Sequence, residues 1–544
     1  MNTFDFVIVG AGSAGCALAE RLTASGRHSV LLLEAGPSDR RFWVQVPLGY
    51  GKTFYDRRIN WMYVTEPDPG LAGRSDFWPR GKLLGGSSSI NAMVYVRGQP
   101  EDFDGWEAMG NPGWGWKDVL PVFRRIEDNE AGGDEWRATG GPLRLTDAAS
   151  QLHPVSHAFI KACALAGLPF NRDFNGASQE GAGFYQITTA GGRRMSAARA
   201  FLYPAMRRAN LKVATRAQVT RIRFDGQTAS GVEYTVGNET RLAQAKLEVV
   251  LAAGAVNSPQ LLQLSGVGPA SLLRRFAIPV VHDSAAVGRN LQDHLGLNYT
   301  YKATVPTLNQ LLRPWWGKLQ VGLEYLLARR GPLSLSMNQC GGFFRTRPEL
   351  SRPNMQLYVQ AITTISGKTN GERPLLTPDP FPGFSLGLSS LRPTSVGFIE
   401  IRSRDPFAPP RIVPNGYSTD NDMEEMLQAV RFLRKLAAQP PLAELIEREL
   451  VPGPDCRDDE ALIADIRQRS STVFHPVGTC RMGPDATACV VDPRLKVHGV
   501  KGLRIADASI FPAITSGNTN APCMMIGWRA ADLIEQDYAH PPHK

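Results

Sequence analysis

The first 34 residues constrain this chain most. Phe4-Asp5-Phe6-Val7-Ile8-Val9 is a short apolar run, Gly10-Ala11-Gly12-Ser13-Ala14-Gly15 follows it, and Cys16 to Leu22 carries apolar residues at helical spacing. Ser29-Val30-Leu31-Leu32-Leu33 is a second apolar run, closed by Glu34. That order predicts a βαβ unit with G-x-G-x-x-G at the strand-to-helix junction. Gly10 permits the tight turn, Gly12 admits a pyrophosphate against the backbone, and Gly15 lets helix and strand pack closely. Unpaired N–H groups at the helix start then face the phosphates. Glu34 stands where a carboxylate accepts hydrogen bonds from ribose hydroxyls. The pattern predicts a bound dinucleotide. It does not separate FAD from NAD, but an acid at the ribose position disfavours NADP.

The rest of the composition sets bounds. At about 100–200 residues per domain, 544 residues make two to four structural units. A hydrophobic content of 43% with 20% charged residues is that of a folded globular protein. Lys and Arg number 60 against 51 Asp and Glu, a net charge of +9. The basic residues are scattered, with no zinc-finger spacing and no ribonucleoprotein motif, so no nucleic-acid partner is expected. Seven cysteines without a C-x-x-C pair argue against a disulfide framework and against a zinc site. No metal is expected. The start of the chain has no signal-peptide pattern, and no apolar run reaches the length of a membrane span, so a cytoplasmic protein is the expectation.

Further along, Arg80 to Ala92 is a second glycine- and serine-rich stretch, anchored by the apolar Ile90, Met93, Val94 and Tyr95. Residues 211–300 read as strands and turns, then a helix with Ser258 as N-cap and Pro259 at its first position. Residues 300–460 read as a less regular layer, with helices expected over 315–329 and 422–438 and a Pro-rich stretch over 373–382. The last segments hold His475-Pro476-Val477-Gly478-Thr479, Leu503 to Ser509 and Ser516 to Pro522. His540 and His543 sit in a Pro-rich tail with no expected metal role.

Together these residues resemble the glucose–methanol–choline (GMC) family of flavoprotein oxidoreductases. The resemblance rests on Gly81 to Asp104, Gly254 to Gly268, Gly288-Arg289-Asn290-Leu291-Gln292-Asp293-His294 and His475 to Thr479. It implies an α/β and α+β architecture, a Rossmann-like FAD-binding domain with a discontinuous substrate domain. Residues 1–300 would be mainly FAD-binding and 301–460 mainly substrate-binding, with 461–544 returning to the FAD domain. The implied cofactor is FAD. Its ADP half would lie on Gly10, Gly12, Ser13, Ala14, Gly15, Glu34 and Ala35, with adenine near Val219. Gly86 and Ser87 would also contact it, and the isoalloxazine would face Asn91, Ala92, Met93, Val94, Asp507, Ala508, Asn518 and Thr519. Some members attach FAD through a His just before the Asn of the first signature. Ile90 stands there, which implies non-covalent FAD.

Oxidising an alcohol by flavin needs a base for the hydroxyl proton and a route for hydride to flavin N5. Histidine suits the first task because its ordinary pKa lies near working pH. The resemblance selects His475 as the base and Asn518 as the partner that hydrogen-bonds the substrate oxygen, and it leaves His294 structural. It further implies a primary, aliphatic alcohol as substrate and a quinone or other carrier as electron acceptor, with O2 as the alternative. Choline and sorbose dehydrogenases and hydroxynitrile lyases are the competing relatives. Choline is disfavoured because Gln339 stands where choline dehydrogenases usually carry a carboxylate. Leu311 to Arg330, with Trp315, Trp316, Leu319, Leu323 and Leu327, reads as an ordinary packed helix with a basic end. Peripheral membrane contact near a quinone pool is its other reading.

Overall fold

A computed structural model describes residues 2–147, 149–365 and 377–539. The tail with His540 and His543, and the first four residues of the 373–382 stretch, lie outside them. The elements that shape the site begin with β1 (Asn2–Val9), α1 (Ser13–Ala24), β2 (Val30–Leu33), β3 (Gly181–Phe184) and β4 (Leu211–Ala214). Next come β5 (Ala217–Asp225), β6 (Thr228–Val236), β7 (Glu239–Leu251), α2 (Gly254–Leu264), β8 (Leu295–Ala303) and α3 (Trp315–Ala328). The chain continues through β9 (Cys340–Phe344), β10 (Met355–Gln360), β11 (Gly383–Ser390), α4 (Asp420–Ala437) and β12 (Ile446–Val451). It ends with β13 (Ser471–Thr472), β14 (Leu503–Ile505) and α5 (Asn520–Ala539).

The first sheet runs β4-β2-β1-β7-β6-β5, with β14 also pairing β7. Its β4, β2, β1, β7 and β14 are parallel, and Val9 lies opposite both Leu33 and Leu251, Leu33 opposite Ala214, and Leu251 opposite Ile505. Their carboxyl ends are therefore level. Gly10, Glu34, Ala252 and Ala506 follow at once and converge on one crevice, the ligand position of open parallel sheets. The near-continuous apolar runs of β1 and β2 are what burial on both faces requires.

Close backbone approach builds the crevice. Gly10 has φ +104°, and a Cβ there would lie 2.5 Å from the Ala252 carbonyl oxygen. A Cβ on Gly15 would collide with the Gly10 carbonyl. The second glycine stretch docks on the first: Gly85 N–H donates to Ala11 O at 2.7 Å, and a Cβ on Gly86 would lie 2.7 Å from Gly12 Cα. The chain end closes the same unit. Gly527 of α5 rests against the Ala14 carbonyl, and Ser13 Oγ donates to Asn520 Oδ1 at 2.7 Å.

The second sheet runs β12-β8-β11-β10-β9-β3, with β13 also pairing β8, and every pairing in it is antiparallel. Its core is separate from that of the first sheet, and α4 covers it with Met426, Val430 and Leu433. The expected helices over 315–329 and 422–438 are α3 and α4, within two residues at each end.

Two expectations fail for tertiary reasons. The helix placed at Ser258 starts at Gly254, so Pro259 lies inside it. Proline there leaves the Ala255 carbonyl without its helical donor; the Thr479 hydroxyl supplies one at 2.7 Å. Ser258 does not cap the helix, and its hydroxyl donates instead to Asp507 Oδ2 at 2.6 Å. Helix α3 is not an ordinary packed helix either, because it buries only Gly317, Val321 and Tyr325.

The Gly10 geometry gives a stability test. Gly10→Ala places a methyl in the left-handed region and against a buried carbonyl, a cost of about 2 kcal/mol or more. A fall of several degrees in thermal midpoint is expected in a melting scan, whereas an unchanged midpoint would contradict the close approach.

Candidate active site

One cavity of about 780 Å³ runs from the crevice of the first sheet to the face of the second. Gly10, Gly12, Ser13, Ala14, Glu34, Ala35 and Val219 line one end. Gly86, Ser87, Asn91, Ala92, Met93 and Val94 form one wall, and Asp507, Ala508, Asn518, Thr519 and His475 line the other end. Of the residues expected at the cofactor and the reaction, only Gly15 is absent from the lining, because it packs α1 against the turn.

At the first end, α1 begins at Gly12 with no side-chain cap and no acidic residue in its first turn. Its unpaired N–H groups and positive dipole end favour a phosphate. Glu34 is buried, and its two carboxylate oxygens accept from Ala11 N–H and Gly36 N–H, each at 2.9 Å. Burial pushes its pKa up to about 7, against the pull of those two donors and of Lys82. The carboxylate thus holds the glycine turn in shape at the edge of the cavity.

The middle wall is set by Asn91, whose Oδ1 accepts from Met93 N–H at 3.1 Å and from Arg194 at 2.8 Å. Met93 adopts φ +65°, which turns the chain sharply beside the cavity. Asp507 fixes the opposite wall. Its carboxylate accepts from Gly254 N–H at 2.9 Å, from Ser258, and from Ser509 N–H at 2.8 Å.

At the far end, a hydrogen-bond chain assigns the protons. His294 is fully buried, and its Nε2 lies 2.9 Å from the Leu391 carbonyl, which can only accept. A neutral His294 therefore carries its proton on Nε2 and presents a bare Nδ1. His475 Nδ1 lies 3.0 Å from that atom and donates to it. His475 Nε2 is then the bare nitrogen, and Asn518 Nδ2 lies 3.2 Å from it. Asn518 is oriented in turn by Gln356, whose Nε2 donates to its Oδ1 at 3.3 Å. Burial lowers the pKa of His294 to about 4. Burial, then His294, then the Arg80 cation hold His475 well below the ordinary histidine value. The site thus holds a neutral imidazole at the cavity, and its Nε2 lone pair accepts from the Asn518 amide.

The segment carrying His475 is braced from several directions. Asp293 Oδ1 accepts from His475 N–H at 2.8 Å, and its other oxygen accepts from Thr472. Phe474, just before the base, has φ +73°, a strained value for that residue. Arg80 Nη2 donates to its carbonyl at 2.6 Å.

Sequence reasoning missed Arg80, Gln356 and the contact of His294 with His475. Asp293-His294 did stand in a quoted motif, but its distance from His475 along the chain concealed the contact. Gln339 needs a correction. It does not line the cavity but accepts from His153 N–H at 3.3 Å, so its neutral side chain has no direct bearing on substrate charge.

With this geometry in place, comparison with known proteins is informative. Sequence profiles described as GMC oxidoreductase match residues 4–296 and 393–527. The chain is 43% identical over 535 residues to alcohol dehydrogenase [acceptor] of Pseudomonas putida, covering 98% of this chain and 95% of that one. It is 42% identical over 550 residues to mitochondrial choline dehydrogenase of Mus musculus, covering 99% and 90%. Among solved structures, formate oxidase of Aspergillus oryzae superposes with a TM-score of 0.91 at 27% identity, covering 99% of each chain.

GMC oxidoreductases bind FAD. The residues here fit that group: two glycine loops meet without side chains, a helix start offers unpaired donors, and one cavity joins both to His475.

Two outcomes test this site. His294→Leu removes the acceptor that fixes the His475 tautomer, so kcat should fall at least tenfold while flavin content stays unchanged. Undiminished kcat would exclude the hydrogen-bond chain as the orienting device. Because the folded pKa of His475 lies below its ordinary value, the imidazole stays neutral until the pH falls through that lowered value. The acid limb of kcat/KM should therefore lie below pH ~6.5, the ordinary histidine pKa.

Proposed function

This chain belongs to the GMC oxidoreductase family, and on that premise we propose that it oxidises a primary alcohol of neutral, mainly aliphatic character to the aldehyde. The observation that carries this reading is the bare Nε2 of His475 beside Asn518 at the end of the dinucleotide cavity. When bound, FAD supplies the acceptor for the hydride that leaves the alcohol carbon. His475 Nε2 takes the hydroxyl proton. His475 Nδ1 keeps its own proton on His294, so the ring does not turn as the proton arrives. For the transfer the Asn518 amide turns its N–H from His475 Nε2 to the alcohol oxygen, which frees the lone pair and stabilises the negative charge that grows on that oxygen. Ile90 offers no nucleophile for attachment, which supports a non-covalently held cofactor.

Charge favours a neutral substrate over choline. Among the described residues the only carboxylates lining the cavity are Glu34 and Asp507. Both accept backbone N–H groups at the strand ends. Arg80 and Arg469 line the same cavity. A quaternary ammonium would meet no other cavity-lining carboxylate at the His475 end, since Asp293 is taken up by the His475 N–H and Asp465 by Arg469. For the electrons we propose a quinone or another carrier rather than O2, supported by the likeness to an acceptor-dependent alcohol dehydrogenase.

The test is anaerobic mixing of the yellow holoenzyme with 1-octanol, benzyl alcohol, sorbose and choline in turn while flavin absorbance is recorded. Bleaching by the first two, without bleaching by choline, is expected, and the bleached state should persist for minutes in air. No bleaching by any alcohol overturns the reaction, and prompt recovery in air overturns the acceptor. His475→Ala should retain flavin and reduce it on the order of 10²–10⁴ more slowly.

A further inference from the structure

Helix α3 buries Gly317, Val321 and Tyr325, one thin stripe at four-residue spacing. The opposite face is apolar and open. Trp315 is 76% exposed and Leu327 85%, and Trp316, Leu319, Leu323 and Leu326 are exposed as well. Six of the eighteen large apolar side chains exposed among the described residues stand on this one helix of 14 residues. Scattered exposure of that kind is ordinary, whereas concentration on one face marks a surface that something covers.

The charges around the face are mainly positive. Arg313, Lys318 and Arg330 are exposed and Arg329 is half-buried, while Glu324 is the single acid on the helix. The surface also extends sideways. A Cβ on Gly192 would collide with Arg329, so the 189–194 hairpin abuts the end of α3, and its other side meets the helix Phe42–Gln45. That helix exposes Phe42 and Trp43, and Lys52 lies 3.8 Å from the centre of the Trp43 ring. Tryptophan and leucine flanked by long basic side chains are the composition of a helix lying in a membrane interface.

We propose that α3 and its flanks form a peripheral docking surface for an anionic phospholipid bilayer. The helix lies parallel to the membrane plane, with Trp315, Trp316, Leu323 and Leu327 among the acyl chains and Lys318 and Arg330 at the phosphates. A second copy of this chain would cover the face less well. It would set these cations against their own equivalents with one Glu324 on each side. Lipid phosphate supplies the missing negative charge. The proposal does not depend on the reaction described above.

The test uses the full-length holoenzyme and sucrose-loaded vesicles of 3:1 phosphatidylcholine and phosphatidylglycerol, with pure phosphatidylcholine as reference. Co-sedimentation with the anionic vesicles at least tenfold stronger than with the neutral ones, and weaker at high salt, is expected. A Trp315→Ser, Trp316→Ser, Leu327→Ser triple variant should lose at least tenfold of that binding. It should keep its flavin spectrum and its turnover with a soluble artificial acceptor. Three results overturn the proposal: no binding by the unmodified enzyme, equal binding by the variant, or a dimer in sedimentation equilibrium that the variant dissociates. The last would assign the face to a second copy.

Discussion

The structure depends on one backbone contact with no side chain in it. At Gly12 and Gly86 two glycine loops more than seventy residues apart touch so closely that a single Cβ between them would overlap main-chain atoms. The Gly85 N–H to Ala11 O bond ties the same pair of loops. This contact turns two separate glycine stretches into one wall, beside the level carboxyl ends of five parallel strands. Without it the cavity would lose the continuity that joins a phosphate-binding helix start to a histidine base.

The reacting end is governed by a different constraint, the direction of a proton chain. The Leu391 carbonyl can only accept, so it fixes the tautomer of His294, which fixes that of His475, which leaves Nε2 unprotonated and accepting from Asn518. Burial keeps both rings neutral, because charging either would place a cation in a dry site already facing Arg80. The segment is held from the main chain as well, by Asp293 on His475 N–H and Arg80 on the Phe474 carbonyl. A base whose ring and backbone are both restrained meets its substrate with little reorganisation.

Much of the first unit was legible in the order of residues. The βαβ start, the tasks of Gly10 and Gly15 and, outside that unit, the helices expected over 315–329 and 422–438 and found at Trp315–Ala328 and Asp420–Ala437 follow from local periodicity and turn chemistry. The start of α2 was not, because the Thr479 hydroxyl that permits Pro259 inside that helix comes from over two hundred residues away. The partner of His294 and the placement of Gln339 were not legible for the same reason. Nothing local to His294 shows that it meets His475, and nothing local to Gln339 shows that it turns from the cavity toward His153.

The sequence by itself determined the chemistry available: a dinucleotide turn, an acid after the second strand, a histidine and an asparagine near the chain end. Local sterics and hydrogen-bonding capacity carry the turn and the acid, which survive in a linear string, whereas the histidine and the asparagine were picked out by the family resemblance. Tertiary structure alone decided which nitrogen of His475 is bare, which carboxylates face the cavity and which side of α3 remains uncovered. Each of those depends on a partner brought close by packing across long stretches of chain, and amino-acid order does not encode such a partner locally.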